Sequence, residues 1–500
     1  MAPFVPHALL VGARLRTGAA PVDVRIRDGV IAEIGPRLQS RGAVVHDAGG
    51  ALAIPGLWDG HVHFGQWAAM TRRVDIADTE SPDEVTARVA HHLATERPRP
   101  GAVVQGYGWR MAGWDRQPST AELDAVVGDR PVILISADCH AGWLSSAAFR
   151  SLGLPVRPGH LDEDDWFPIY TQLASLPEDP VAVRASLDRA LRQAAAKGVV
   201  GVTDMEFETG RVEWPQRTAA GMDLLRVRTC TYPEGLEDAI AAGVRTGDVL
   251  DASGLVTMGP LKVITDGSLN TRTAWCCEPF ITDDDLSEPH GKRSVDPEEL
   301  TALLSRARAH GLDGAVHAIG DAALLDALDA YAASGARGSI EHAQLVRMEV
   351  LGRMAELGLV ASVQPAHLLD DREATEALWP DRLDRCFALR SLMDAGVPLR
   401  LGSDAPVSPL DPWLAMSAAV HRSADEREPW APEQALTPRE ALHASTDGIS
   451  ELAVGGPGDI AILSQDPCPT DLPGTSEQAA RLRGTQVLAT FVAGRLTHST

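Results

Sequence analysis

Lysine is almost missing from this chain. Of 45 basic residues among 500, only Lys197, Lys262 and Lys292 are lysines, so arginine serves wherever a positive charge alone is needed. The net charge is −24 and the arginines never gather into a basic run. That argues against a nucleic-acid partner, which is held through clustered cations, and against an anionic membrane surface. Long apolar runs are lacking too. No segment approaches the roughly 18 to 20 residues of a bilayer span, and the start "MAPFVPHALLVGARLRTG" has no charged segment followed by a long apolar one. The expected location is the cytoplasm. Cysteine is sparse: Cys139, Cys230, Cys276, Cys277, Cys386 and Cys468 show no C-x-x-C spacing, which suits buried thiols in a reducing compartment. What is present is apolar bulk. With 44% hydrophobic residues the chain buries a large core, as two to four domains or one barrel with additions.

The two ends read alike. "VDVRIRDGVIAEIG" alternates apolar and polar residues around Asp-Gly, the signal for a β-hairpin, and "GDIAILSQDP" and "QVLATFVAGRLTH" are short strands with turn residues between them. Both ends, 1–55 and 448–500, are expected to build one small β-domain. The body between them, 56–447, alternates short apolar runs with helical stretches, as a parallel sheet with helical crossovers does. Its candidate strands are 56–63, 198–205, 224–231, 259–266, 312–318, 337–343, 358–365 and 397–404. Eight is the number that closes a TIM (β/α)8 barrel, so the expected fold class is α/β. Helices are expected at 181–197, 297–310, 321–334 and 346–357. Residues 65–197 exceed one barrel connection and read as an inserted α/β layer, with a helix near 82–96 and a Trp-rich loop. An insertion there is expected to cover the site and shape substrate choice.

In "GLWDGHVH", His61 and His63 share one strand face while Val62 turns away. Two imidazoles aimed alike at a strand end resemble half of a metal site. Other strand ends supply Lys262, His317, His342 and Asp404. Barrel enzymes draw their reacting groups from the ends of several strands, so this set carries more than any member of it. A lysine retained in so lysine-poor a chain is a candidate for what arginine cannot do, such as losing a proton and forming a carbamate with carbon dioxide.

The motifs "DGHVHF", "KVITDGSLNTRTAW", "VHAIGDAA", "IEHAQ", "VQPAH", "LGSDAPVSPLDPW" and "LTPREALHAST" resemble the metal-dependent amidohydrolase superfamily, in the branch that includes N-substituted formamide deformylases. The resemblance runs nearly end to end. It implies a β-sandwich built from both termini, a homodimer, and a small-molecule substrate. It further implies two divalent metal ions: His61, His63 and Asp404 on the more buried one, His317 and His342 on the more exposed one, and N-carboxylated Lys262 bridging both. Histidine and carboxylate ligands suit Zn²⁺ best, with Mn²⁺, Co²⁺ and Fe²⁺ as alternatives. Such ions lower the pKa of water to about 7 and polarise a carbonyl, and Asp404 would take the proton and return it to the leaving nitrogen.

Further positions are candidate substrate contacts: His140 and Trp143 in an Asp-x-His-x-x-Trp element, Asp266, Ser268 and Arg272 on the loop after the fourth strand, Gln344, Gln364 and His367 after the sixth and seventh, and Trp109 in the insertion. "LSSAAF" and "CCEPF" depart from the branch pattern, so no particular substrate carries over. The leading expectation is hydrolysis of a C–N bond outside the peptide backbone, in an N-acyl or N-formyl small molecule. Ring-opening of a cyclic amide, lactone or ester, deamination of a heterocycle, phosphotriester hydrolysis, and a catalytically silent binding homologue stay open beside it.

Overall fold

The computed structural model describes residues 7–500 apart from 112–113, 137–140, 162–164, 167, 170–172, 174–179, 208–209, 283–285 and 425–426. Eight strands pair in parallel in chain order: Leu57–Val62, Val199–Asp204, Arg226–Thr231, Val256–Ile264, Gly314–Ala318, Gly338–His342, Val360–Val363 and Leu399–Leu401. Every expected barrel strand is present, each shifted or trimmed by at most three residues. Parallel neighbours need long crossovers, which helices such as Pro233–Ala241, Pro297–Ala309 and Asp321–Ser334 supply. Two of these helices open on proline followed by glutamate, whose fixed φ and negative charge both favour a helix start.

The eighth strand returns to the first at the C-terminal end, where Asp404 N–H donates to His61 O (2.7 Å) and His63 N–H to Ala405 O (2.9 Å). Closure there demands small residues. A Cβ on Gly402 would stand 2.6 Å from His61 N, and one on Gly60 2.5 Å from Arg400 Cγ, so only glycine permits the approach.

The helix expected over 346–357 begins later, as a 3₁₀ turn Met348–Val350 running into Leu351–Glu356. Leu345 N–H donates to Ile319 O (2.9 Å) and Val346 N–H to Arg385 O (3.0 Å), which holds the chain extended at that point.

The terminal segments form two four-stranded sheets. One orders Val30–Gly35, Val22–Arg27, Ala8–Ala13 and Val44–Asp47; the other orders Arg495–Ser499, Val487–Val492, Ile460–Leu463 and Leu52–Pro55. Leu10, Val24, Ile26, Ile460, Ile462 and Phe491 share the core between them. Both hairpins turn on residues with positive φ, Asp28-Gly29 (54° and 75°) and Ala493-Gly494 (52° and 79°), the backbone a two-residue hairpin loop requires.

By internal packing the chain divides into two compact units, Met1–Gln66 with Leu191–Thr500, and Trp67–Ala190. The second unit carries its own mixed sheet, Gly142–Leu144, Val132–Ser136, Val104–Trp109 and Val74–Asp75, around a core that includes Ile76, Val85, Leu134, Trp109 and Trp143. No helix among the described residues is long and apolar enough to cross a membrane.

Candidate metal centre

The parallel register sets the heights of the side chains at the barrel mouth. Ile264 pairs with His317, so His317 stands two residues above Lys262, and Ala318 pairs with His342. His342 and Asp404 both have left-handed backbone, φ 71° and 54°. Such φ values are rare for non-glycine residues and mark a held conformation. For His342 the effect is chemical. Glu341 already faces the barrel interior, and strict alternation would send its neighbour outward; the left-handed turn brings His342 to the same cluster.

The structure gathers His61, His63, Lys262, His342 and Asp404. Asp404 Oδ1 lies 3.4 Å from His61 Nε2 and 3.5 Å from His63 Nε2, and Lys262 Nζ lies 3.5 Å from His61 Nε2. Ligand atoms of His61, His342 and Asp404 all fall within 4.8 Å of one another. His317 borders the group through His342, with ring centroids 4.4 Å apart, while its own Nε2 faces Asp266 Oδ1 and Gly267 O, both at 3.3 Å.

Two tests bear on whether these residues suit a cation. The first is the unpaired atoms: His63 Nδ1, His342 Nδ1 and His367 Nε2 are buried without hydrogen-bond partners. An unpaired buried polar atom is costly, so it marks a place where a ligand belongs. The second is charge. Burial holds the His61 and His342 imidazoles well below their usual range and His63 at about 4, so all three are neutral with a lone pair to offer. Burial also lowers the Lys262 amine, against the pull of Glu341 and Asp404, and pushes the Asp404 carboxyl up to about 7. The donor set fits a divalent cation bound by nitrogen and oxygen.

Two supporting acids were not singled out in the sequence. Glu341 Oε2 accepts from His61 Nδ1 (2.6 Å), which fixes the tautomer and leaves Nε2 for the centre, and Ser339 Oγ donates to its other oxygen. Asp59 Oδ1 accepts from His61 N–H (3.1 Å) and Ser403 N–H (3.0 Å), tying the first strand to the eighth beneath the histidines. In "IEH" the acid stands next to its histidine and so points the opposite way on a regular strand, whereas in "WDGH" Asp59 lies two residues before His61 and shares its strand face, a signal that the sequence did carry.

The other expected contacts divide. His367 belongs with the centre: its Nε2 is 3.8 Å from Asp404 Oδ2, its ring stacks 6.0 Å from His342, and burial holds it at about 4. Gln364 is buried with Oε1 unpaired and its amide on Ser362 O. Gln344 donates to Asp371 Oδ2 (3.0 Å), and Ser268 shares a hydrogen bond with Thr271 (2.9 Å) on the loop where Arg272 sits half-buried.

Three expectations are corrected or redirected. Asp266 is not a free handle for substrate: its oxygens accept from Trp275, Ile319 and Gly320 N–H at 2.8 to 3.1 Å, so it pins the loops after the fourth and fifth strands. Trp109 and Trp143 are fully buried in the core of the Trp67–Ala190 unit, their indole N–H groups donating to Leu134 O (3.1 Å) and Ser119 O (2.9 Å). They pack that unit's core rather than offering a surface to a ligand. His140 lies outside the described residues.

Comparison with known proteins identifies the family and the fold. The sequence profile of the "Amidohydrolase family" matches residues 44–498. Among curated relatives, N-substituted formamide deformylase of Arthrobacter pascens is 26% identical over 98% of this chain and 97% of its own length. Protein LONG AFTER FAR-RED 3 of Arabidopsis thaliana is 27% identical over 94% and 87%. Among solved structures, an uncharacterized metal-dependent hydrolase of Pyrococcus horikoshii superposes with a TM-score of 0.77 at 26% identity, covering 92% of this chain and 98% of its own.

Proposed function

This chain belongs to the amidohydrolase family and is a metal-dependent hydrolase of carbon–nitrogen bonds, and from that premise we propose that it cleaves an N-acyl or N-formyl amide of a small molecule. The observation that carries the reading is the buried set of neutral histidines facing one carboxylate and one amine, with ring nitrogens left unpaired. In this reading His61, His63, His317, His342, Asp404 and Lys262 as its carbamate would hold two divalent ions, zinc foremost. When bound, such ions lower the pKa of water and polarise the substrate carbonyl.

The chain's own residues then have distinct tasks. Lys262, its amine lowered by burial, would give up one proton, add carbon dioxide at Nζ and release a second proton as the carbamate forms, so that an anion replaces a cation where the ions would bind. Glu341 keeps the His61 proton on Nδ1. Asp404 takes the proton of the attacking water and delivers it to the departing nitrogen, since an amide does not expel an unprotonated amine readily. His367, beside Asp404 with an unpaired Nε2, orients the substrate.

The experiment is metal content per chain by elemental analysis with intact mass under non-denaturing conditions, followed by turnover of amide, heterocyclic-amine and organophosphate panels. Two ions, one carbon dioxide adduct and amide turnover support the reading. One ion, a bare lysine and deamination would replace it, and binding without any turnover would mean a silent homologue.

A further inference from the structure

Beside the metal centre, the ends of the second, third and fourth barrel strands border a half-open cavity of about 560 Å³ that none of the clustered ligands lines. Its apolar lining comes from Phe207, Tyr232, Val263, Ile264 and Val295, with Cys230 among them. The volume falls in the range of small-molecule sites.

Phe207 connects the two places. Its ring stacks on His63 with centroids 5.3 Å apart at 26°, and it also meets Tyr232 at 5.0 Å and 36°. Three rings thus link a metal-set histidine to the cavity. Phe207 is nonetheless 59% exposed. A phenylalanine packed against two rings, with most of its surface open beside an apolar wall, leaves exposed ring edge for an incoming aromatic group to meet edge-to-face.

The polar groups of the lining are engaged elsewhere or do not select for charge. Tyr232 Oη donates to Met205 O (2.7 Å) and the Cys230 thiol to Met205 Sδ (3.2 Å), so tyrosine offers its ring face and cysteine its apolar side. Arg211, Glu234 and Asp238 also line the space, but they carry both signs and the two acids are exposed. The cavity therefore suits an uncharged, flat, apolar group.

We propose that this cavity is the specificity pocket for an aryl-bearing substituent of the amide substrate, with Phe207 as its specificity-determining residue. This rests on the hydrolase reading above. An amide held at the centre whose substituent extends past His63 along Phe207 enters the cavity, and aromatic pairing at 4.5 to 7 Å, as general geometry allows, adds to apolar burial there.

The test uses the metal-loaded full-length protein and N-formyl amines carrying either 2-phenylethyl or n-butyl. The wild type is expected to prefer the phenylethyl compound by about tenfold or more in kcat/KM. Phe207→Ala should abolish that preference by lowering kcat/KM for the phenylethyl compound, mainly through KM, by about tenfold more than for the butyl compound, with the melting temperature retained, and Phe207→Tyr should restore it. Equal preference in wild type and Phe207→Ala, or equal loss on both substrates, would overturn the proposal, the latter because Phe207 would then only support His63. Calorimetry with 2-phenylethanol, which cannot be hydrolysed, separates the two readings. Binding that Phe207→Ala weakens, in a protein that turns over no amide, would keep the pocket and sink the hydrolase reading; amide turnover without aryl preference would do the reverse.

Discussion

The two ends of the barrel both bury polar and charged side chains and treat them in opposite ways. At the N-terminal floor, Arg226 makes two hydrogen bonds to Asp459 (2.6 and 3.2 Å), and Asp447 pairs with both Arg228 (2.8 Å) and Arg400 (3.2 Å). Arg228 also lies over the Trp58 ring at 4.7 Å, and Trp58 Nε1 donates to Thr203 Oγ1 (3.0 Å). At the C-terminal mouth, by contrast, His63, His342, Gln364 and His367 each hold a buried polar atom with no partner. A protein that pairs these charges at one end does not leave polar atoms idle at the other by default. The floor joins barrel strands to the segments at 447 and 459 and serves stability, whereas the mouth is completed by something the chain does not contain. This follows the division of barrel folds into a stabilising face and a reacting face.

The contrast is best tested by substitutions that move one end and leave the other still. Asp404→Asn should have the largest effect, a loss of about 10³-fold or more in kcat with the melting temperature nearly unchanged, since it removes proton transfer and keeps the shape. Undiminished kcat would take Asp404 out of that role. At the floor, Asp459→Asn should do the opposite. It weakens a bidentate pair in which the aspartate is buried, and should cost about 3 kcal/mol in denaturant unfolding while metal content per folded chain is preserved. Loss of metal in that variant would mean that the two ends are coupled.

Glu341→Gln should cost about 10 to 100-fold in metal affinity, read by competition with a chelating dye, because the His61 tautomer is then no longer fixed by a carboxylate. Unchanged affinity would make Glu341 a packing residue. The smallest effect belongs to Arg228→Lys, expected to lower stability by about 1 kcal/mol through loss of its planar fork and its stacking on Trp58, with kcat unaffected.

The sequence alone determined the architecture and the types of side chain at the mouth. Eight apolar runs, separated by helical stretches, leave a parallel barrel as the way to bury every strand on both faces, and Asp28-Gly29 turns a hairpin because its backbone favours positive φ. His61, His63, Lys262, His317, His342 and Asp404 are visible at strand ends because period-two alternation is local. Tertiary structure decided what local periodicity cannot express. The left-handed backbone at His342 placed two consecutive residues, Glu341 and His342, at one centre. Loop packing turned Asp266 from a substrate handle into a clamp on three backbone amides, because its partners lie 9 to 54 residues away in the chain. Folding of the inserted unit drew Trp109 and Trp143 into its core, since a tryptophan in a loop-rich segment reads the same whether it lines a site or fills an interior. Phe207 shows the same limit from the other side. A single phenylalanine after a strand carries no signal until His63 and Tyr232, 144 residues before it and 25 after, are folded against it.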